Sequence, residues 1–385
     1  MTLPTELRPG SARDLLSALV AIPSVNPAYD PASPGENEIG DAIVEWGRAL
    51  GLESHERDVV DGRRNIQLRL RSRSPRRTIL IEGHLDTVGL MPPGAGTVAS
   101  VVDGRLSGRG ACDAKGAIAA TLLALAELVA APPEHTDVVF LGAIDEEYVF
   151  RGISAFIADG ELPDAAVVLE PTDLRIVTEH NGVVRIELVV AGVAAHSSRP
   201  EEGHNAILDA LEVVRVLTRW TEDSTAAAPG SPPRILAVTT VSGGTAINVI
   251  PDSCRIGLDL RIRPAEHPDE VLAEIEALLA AIPGVDARID RVLLTDGGMS
   301  TNASSDVVVA AQTAAGLHQL PVGVVRVPYG TDGSKLARAG VPTIVFGPGS
   351  IGTAHGDDEW VDLADVETAA RVIRDLVRAF DRAEP

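Results

Sequence analysis

The chain has 385 residues, enough for two domains that each bury a core. Its formal net charge of −22 argues against a polyanionic partner, so neither nucleic acid nor an anionic membrane surface is expected to bind it. Hydrophobic residues make up 45% but aromatics only 3%, and the two cysteines, Cys112 and Cys254, offer neither a disulfide framework nor a zinc-knuckle spacing. No apolar run reaches roughly 18 residues. The start, MTLPTELRPGSARDLL, lacks a basic segment followed by a hydrophobic block, so a soluble cytoplasmic protein is expected.

Ser11 is placed to cap a first helix, ARDLLSALVAI, which stops at Pro23. Ser33-Pro34 opens a second, with Ile39, Ile43, Trp46 and Leu50 on one face. Strands are expected near 53–60, 64–70 and 78–82. The last of these, beginning Thr78-Ile79-Leu80-Ile81, runs into His84-Leu85-Asp86. Strand alternation lets His84 and Asp86 point the same way at the strand's carboxyl end. Further on, Gly108, Gly110 and Gly116 surround Asp113 and Lys115, where a helix over about 114–131 begins. A buried-type strand over 138–144 ends in Asp145-Glu146-Glu147. A small segment near 152–158 leads to a strand over 165–169 that ends in Glu170-Pro171-Thr172. Three strands thus deliver imidazole or acidic groups at their carboxyl ends, the layout of an active site on a mostly parallel sheet.

From Gly182 the pattern changes. A strand at 183–191, a helix at 203–219, a Pro/Ser/Ala/Gly-rich linker at 222–233, strands at 235–241 and 253–262, a helix at 268–282 and a strand at 286–294 follow in turn. That order, β-α-β-β-α-β over about 110 residues, is a ferredoxin-like split βαβ unit. After Asp296 the α/β pattern resumes with a helix at 304–316, a strand at 323–327, a short helix near 333–339, a strand at 342–346 and a terminal helix at 362–380. The expected fold class is therefore α/β. A mostly parallel-sheet catalytic domain (1–181 and 296–385) is interrupted by an inserted α+β ferredoxin-like domain (182–295).

A strand-end carboxylate is more often a solvated turn residue than a ligand, so the weight lies on the set. His84, Asp113, Glu147, Glu170 and His355 supply two imidazoles and three carboxylates, all expected at one rim. That donor set suits zinc, with cobalt or manganese as substitutes. Five ligands exceed one tetrahedral site with an open position, and they fit two if one carboxylate bridges metals roughly 3.5–4 Å apart. Glu146 is left over beside Glu147, and a free carboxylate near a metal-activated water is the expected general base. Cys112 has no base-and-orienter set around it, and His180 and His204 read as structural.

The motifs GHLDTV, GRGACDAKG, DEEYVFRG, LEPT and GPGSIGTAH together resemble the di-zinc family of acetylornithine deacetylase, succinyl-diaminopimelate desuccinylase, glutamate-releasing carboxypeptidase and the aminoacylases. The resemblance covers nearly the whole chain. It implies two Zn2+ per chain, one held by His84, Asp113 and Glu170, the other by Asp113, Glu147 and His355. Asp113 would bridge, Asp86 would orient His84, and Glu146 would activate the bridging water. A cis peptide after Asp113 is also implied. The inserted domain resembles the family's lid and dimerisation domain. His196, in AHSSRPEEGHNAI, would donate to the oxyanion of the other subunit's site, and the working unit would be a homodimer through that domain. Asn248 in INVIP and Arg261 in DLRIRP match positions that contact the substrate's carboxylate, which a guanidinium reads bidentately. The turn containing Gly330 and Thr331 and the loop containing Gly349 would line the pocket. Glu170 resembles the glutamate of the amino-acid deacylases and of the tripeptide-cleaving members, and its LEPT context most resembles acetylornithine deacetylase and the desuccinylase, so hydrolysis of a small N-acyl amino acid is expected. The runner-up is a dipeptidase or carboxypeptidase acting on a short peptide. A catalytically silent zinc-binding protein is a third reading, against which the intact Glu146 and the complete ligand set argue.

Overall fold

The computed structural model describes residues 11–89, 98–227 and 232–383. Most of the N-terminal stretch and the middle of the expected 222–233 linker lie outside them. The chain divides into two compact units. One comprises Met1–Thr178, Thr301–Arg326 and Thr331–Pro385; the other comprises Glu179–Ser300 and Val327–Gly330.

The larger unit is an α/β layer structure around a mixed sheet. Its strands run, in spatial order, Glu53–Val60, Arg63–Leu70, Thr136–Ala143, Arg77–His84, Ala165–Val168, Thr343–Val345 and Ile176–His180. The middle four, from Thr136–Ala143 to Thr343–Val345, pair in parallel, and the flanking strands pair antiparallel. Parallel strands are covered on both faces, which is why TDVVFLGA is buried at every position. The ladders pair His84 with Ala143 and Glu82 with Val168. The carboxyl ends of three neighbouring strands are therefore level, and their following residues emerge side by side. The helix Lys115–Ala130 is apolar almost all round and packs against both Ser11–Ala21 and the terminal helix Leu363–Arg382. The terminal helix is amphipathic, burying Val366, Ala369, Ile373, Leu376, Val377 and Phe380 on one stripe.

Two helix starts differ from expectation. The first helix includes Ser11 rather than being capped by it, and the second begins at Asn37, beyond Ser33-Pro34. Ser33 spends its hydroxyl on a turn, donating to the Val25 carbonyl at 2.5 Å and accepting from Gly35 N at 3.1 Å. A hairpin of Ser100–Val102 and Arg105–Ser107 turns through Asp103-Gly104, both at positive φ (49° and 81°).

The smaller unit is an antiparallel sheet of four strands in the order Ile235–Gly243, Ser253–Ile262, Gly182–Ala191, Asp286–Asp296, with the helices Ala206–Ala227 and Pro268–Ala280. Val184, Ile186, Leu188 and Val190 meet Val213, Leu217, Val271 and Ile275 in its core. The first helix runs to Ala227, well past the expected end near 219, and Arg263 Nη2 donates to the Ser224 carbonyl in that extension at 2.5 Å. No helix among the described residues is long and apolar enough to cross a membrane.

Candidate metal centre

Five side chains singled out from the sequence converge at the level strand ends of the larger unit. Asp113 precedes the helix Lys115–Ala130 on a glycine-rich loop, and the Asp113-Ala114 peptide is cis. Its carboxylate faces two imidazoles at once. Oδ1 lies 3.0 Å from His84 Nε2, and Oδ2 lies 3.2 Å from His355 Nε2. His355 Nε2 is also 3.1 Å from Glu147 Oε1, and His84 Nε2 is 4.0 Å from Glu170 Oε1. Donor atoms of His84, Asp113 and Glu147 lie within 4.8 Å of one another, as do those of His84, Glu146 and Glu170. The second grouping brings in Glu146, so distance alone does not separate a ligand from a base in the Glu146-Glu147 pair.

The supporting contacts explain how the loops hold this shape. The Asp86 carboxylate accepts the Glu146 and Glu147 amides, each at 3.1 Å, and Asn26 Nδ2 at 2.8 Å. His84 Nδ1 is nearer to the Asp86 carbonyl, at 3.0 Å, than to its carboxylate, at 3.7 Å. Glu359 accepts hydrogen bonds from Gly110 N, Cys112 N and Asp113 N at 2.9, 2.9 and 3.0 Å, and from Arg109 Nη1 at 2.7 Å. Asn26 and Glu359 escaped the sequence reading because their partners lie 60 and about 250 positions away. No local signal marks either: both lie in irregular segments between elements.

Burial and mutual repulsion act together on the crowded side chains of this cluster. Burial pushes the carboxyls of Glu146 and Glu170 well above the usual range, and that of Glu147 upward, with their mutual repulsion adding to it. Burial opposes charge on His84, yet its hydrogen bonds to Asp113 and Asp86 hold its pKa well above the ordinary imidazole value. His355, bonded to Asp113 and Glu147, rises to about 10. Asp113 is burial-penalised but falls well below the usual carboxylate value beside the two rings. Crowded carboxylates with imidazole nitrogens among them form an N/O donor set that divalent cations fit. Cys112 is not part of it: burial pushes its thiol up to about 12, which leaves it inert as a nucleophile.

Other expected residues occupy defined places. Gly349, at φ +78°, packs so closely on Cys112 Sγ that a Cβ would come within 2.6 Å. Thr331 is fully buried, its hydroxyl accepting from Gly333 N at 3.1 Å. In the smaller unit a short ladder of Ala195–His196 with Val249–Ile250 sets the His196 and Asn248 segments side by side, and Ser197 N donates to the Asn248 carbonyl at 3.0 Å. His196 is exposed. Its Nδ1 lies 2.8 Å from Ser198 Oγ and 3.1 Å from Ser198 N, so the Ser198 turn orients the ring through that nitrogen. Arg261 donates to Asp259 at 2.9 Å and is partly exposed. Gly330 closes the second segment of the smaller unit.

Comparisons with known proteins agree with this picture. The sequence profile of peptidase family M20/M25/M40 matches residues 80–379. A probable carboxypeptidase of Aspergillus terreus is 30% identical, over 89% of this chain and 82% of that protein. An acetylornithine deacetylase of Myxococcus xanthus is 33% identical, over 72% of this chain and 73% of its own length. In fold, a dinuclear metal binding peptidase of Bacillus subtilis superposes with a TM-score of 0.70 at 18% identity, covering 95% of this chain and 96% of that one. The chain belongs to peptidase family M20/M25/M40 and is a metal-dependent hydrolase of amide bonds.

Proposed function

We propose that the chain binds two zinc ions, which cobalt or manganese can replace, and hydrolyses the amide bond of an N-acyl amino acid. The observation that carries the reading is the Asp113 carboxylate, one oxygen 3.0 Å from His84 and the other 3.2 Å from His355. Glu170 completes the His84 side and Glu147 the His355 side. When bound, the ions would supply positive charge beside the scissile carbonyl and acidify water. Glu146 takes the proton of the attacking water and returns it to the leaving amine. Asp86 holds the Glu146 and Glu147 backbones still during the transfer. His196 is the donor to the developing oxyanion. Arg261 and Asn248 hold the carboxylate of the amino-acid half, and Gly330, Thr331 and Gly349 shape the pocket wall.

The proposed working unit is a homodimer. In the smaller unit the strand Ile235–Gly243 lies at the sheet edge with Val238 and Val241 exposed, and the helix Ala206–Ala227 exposes Leu208 and Leu211. A second copy of the chain would cover that surface.

A second reading, cleavage of a dipeptide or of a peptide's C-terminal residue, is favoured by the carboxypeptidase relative that spans most of the chain. Assaying N-acetyl and N-succinyl amino acids against dipeptides, with Zn2+ or Co2+ added, separates the two. Faster release of the acyl group is expected, and faster turnover of dipeptides would transfer the assignment to the second reading.

A further inference from the structure

Three acidic residues, Asp145-Glu146-Glu147, follow the strand Thr136–Ala143 in succession. The donor atoms of the last two lie among the imidazoles and carboxylates of the centre, while Asp145, with the same chemistry, is fully buried outside both ligand groupings. Asp145 Oδ1 accepts Asn26 Nδ2 at 3.0 Å and Arg63 Nη1 at 3.1 Å, and Arg151 Nε stands 3.5 Å from its Oδ2. The same Asn26 nitrogen donates to Asp86 Oδ2 at 2.8 Å. Asp86 in turn carries the backbone amides of Glu146 and Glu147 on its two oxygens. One amide group therefore touches both the acid that is kept away and the acid from which the other two hang.

The orientation of that amide is determined by its surroundings. Asn26 Oδ1 accepts Ala28 N at 3.0 Å, so the NH2 end must be the one that faces the two carboxylates. The backbone of the segment is fixed as well, Asn26 N donating to the Thr87 carbonyl at 2.9 Å and Thr87 N to the Ser24 carbonyl at 3.0 Å. Asn26 is itself fully buried. Each of its two amide hydrogens thus has an assigned carboxylate. Without them, Asp86 Oδ2 and Asp145 Oδ1 would face each other across the space of one nitrogen as buried like charges. Arg63 does not substitute, since its contacts are to Glu36 and Asp145 and not to Asp86.

We propose that Asn26 is a positioning residue that sorts the acidic run, tethering Asp145 away from the metal centre while holding Asp86 so that Glu146 and Glu147 face it. The proposal rests on the two-metal reading given above. It makes metal affinity and turnover depend on a side chain that touches neither metal nor substrate, as partners of ligands commonly do by 10–100-fold or so.

Asn26→Asp tests it with almost no change of shape: both donors become acceptors and three carboxylates converge. Asn26→Ser, which keeps one donor, is the second variant should the first fail to fold. Native and variant proteins are stripped of metal, checked for fold by far-UV circular dichroism, and titrated with Zn2+ against a chromophoric chelator. Binding weaker by about 10–100-fold in Asn26→Asp is expected, with a smaller loss in Asn26→Ser. kcat, measured at saturating Zn2+, should fall by a similar factor while KM stays within about threefold. A folded variant with native Zn2+ affinity and native kcat overturns the proposal, as does a loss confined to thermal stability. A native protein that binds fewer than two zinc ions would instead overturn the reading beneath it.

Discussion

The Glu359 carboxylate, near the far end of the chain, accepts the backbone N–H of Asp113 at 3.0 Å. Because it also takes Gly110 N, Cys112 N and Arg109 Nη1, it fastens the whole loop that carries the carboxylate between the two imidazoles. His355 and Glu359 lie on one short segment, so that segment delivers one imidazole and clamps the loop facing it.

Glu359→Ala should be strongly destabilising. Arg109 and three buried amides lose their acceptor together, and breaking a buried ion pair by removing one partner costs about 3–5 kcal/mol. Glu359→Gln keeps the shape and one acceptor oxygen, and it should cost less. Equilibrium urea unfolding of the metal-free proteins measures both. Equal, small losses in the two variants would show that the loop is held by other contacts.

Metal uptake should release protons. In the metal-free protein His355 is raised to about 10 by its bonds to Asp113 and Glu147, so it is charged at pH 8 and must lose that proton to coordinate. Calorimetric titration of Zn2+ in buffers of different ionisation enthalpy should report at least ~1 proton released per chain at that pH. The same linkage has a sign for stability. A raised imidazole pKa contributes to the metal-free fold below the ordinary value near 6.5, and the contribution is lost as pH climbs toward 10. His355→Asn should flatten that part of the alkaline decline, and zero proton release would contradict the assignment of His355 as a ligand.

Much of this centre was legible because the strands are apolar runs ending in chemistry-bearing residues. His84, Glu146, Glu147 and Glu170 sit where continuous buried strands stop, and period and composition locate such stops. The hairpin at Asp103-Gly104 carried its Asp-Gly signal but has strands of only three residues on each side, too short for alternation to show. Asn26, Glu359 and the Glu36–Arg63–Asp145 ion-pair chain were invisible for a different reason. Each is polar, lies between elements or, as Arg63 does, at the first position of a strand, and owes its place to a partner many residues away. Nothing local distinguishes such a residue from a solvated loop side chain.

Subunit exchange tests the dimer. Glu146→Ala and His196→Ala chains, each nearly inactive alone, are refolded as an equimolar mixture. If His196 serves the partner's site, a hybrid has one site with both defects and one with neither. Random reassortment then gives about a quarter of native activity. Recovery no greater than the sum of the parents, with hybrids demonstrated, would place His196 in its own chain's site or outside the reaction.

In the proposed mechanism Glu146 moves a proton and Glu147 holds a metal, although the two are adjacent and Glu146 lies within reach of a ligand position. Metal analysis of purified Glu146→Ala and Glu147→Ala alongside their turnover is the most direct test. Glu146→Ala should retain two zinc ions per chain while kcat falls by about 10²–10⁴-fold or more. Glu147→Ala should lose zinc and activity together. Loss of zinc from Glu146→Ala as readily as from Glu147→Ala would contradict the claim and make Glu146 a ligand.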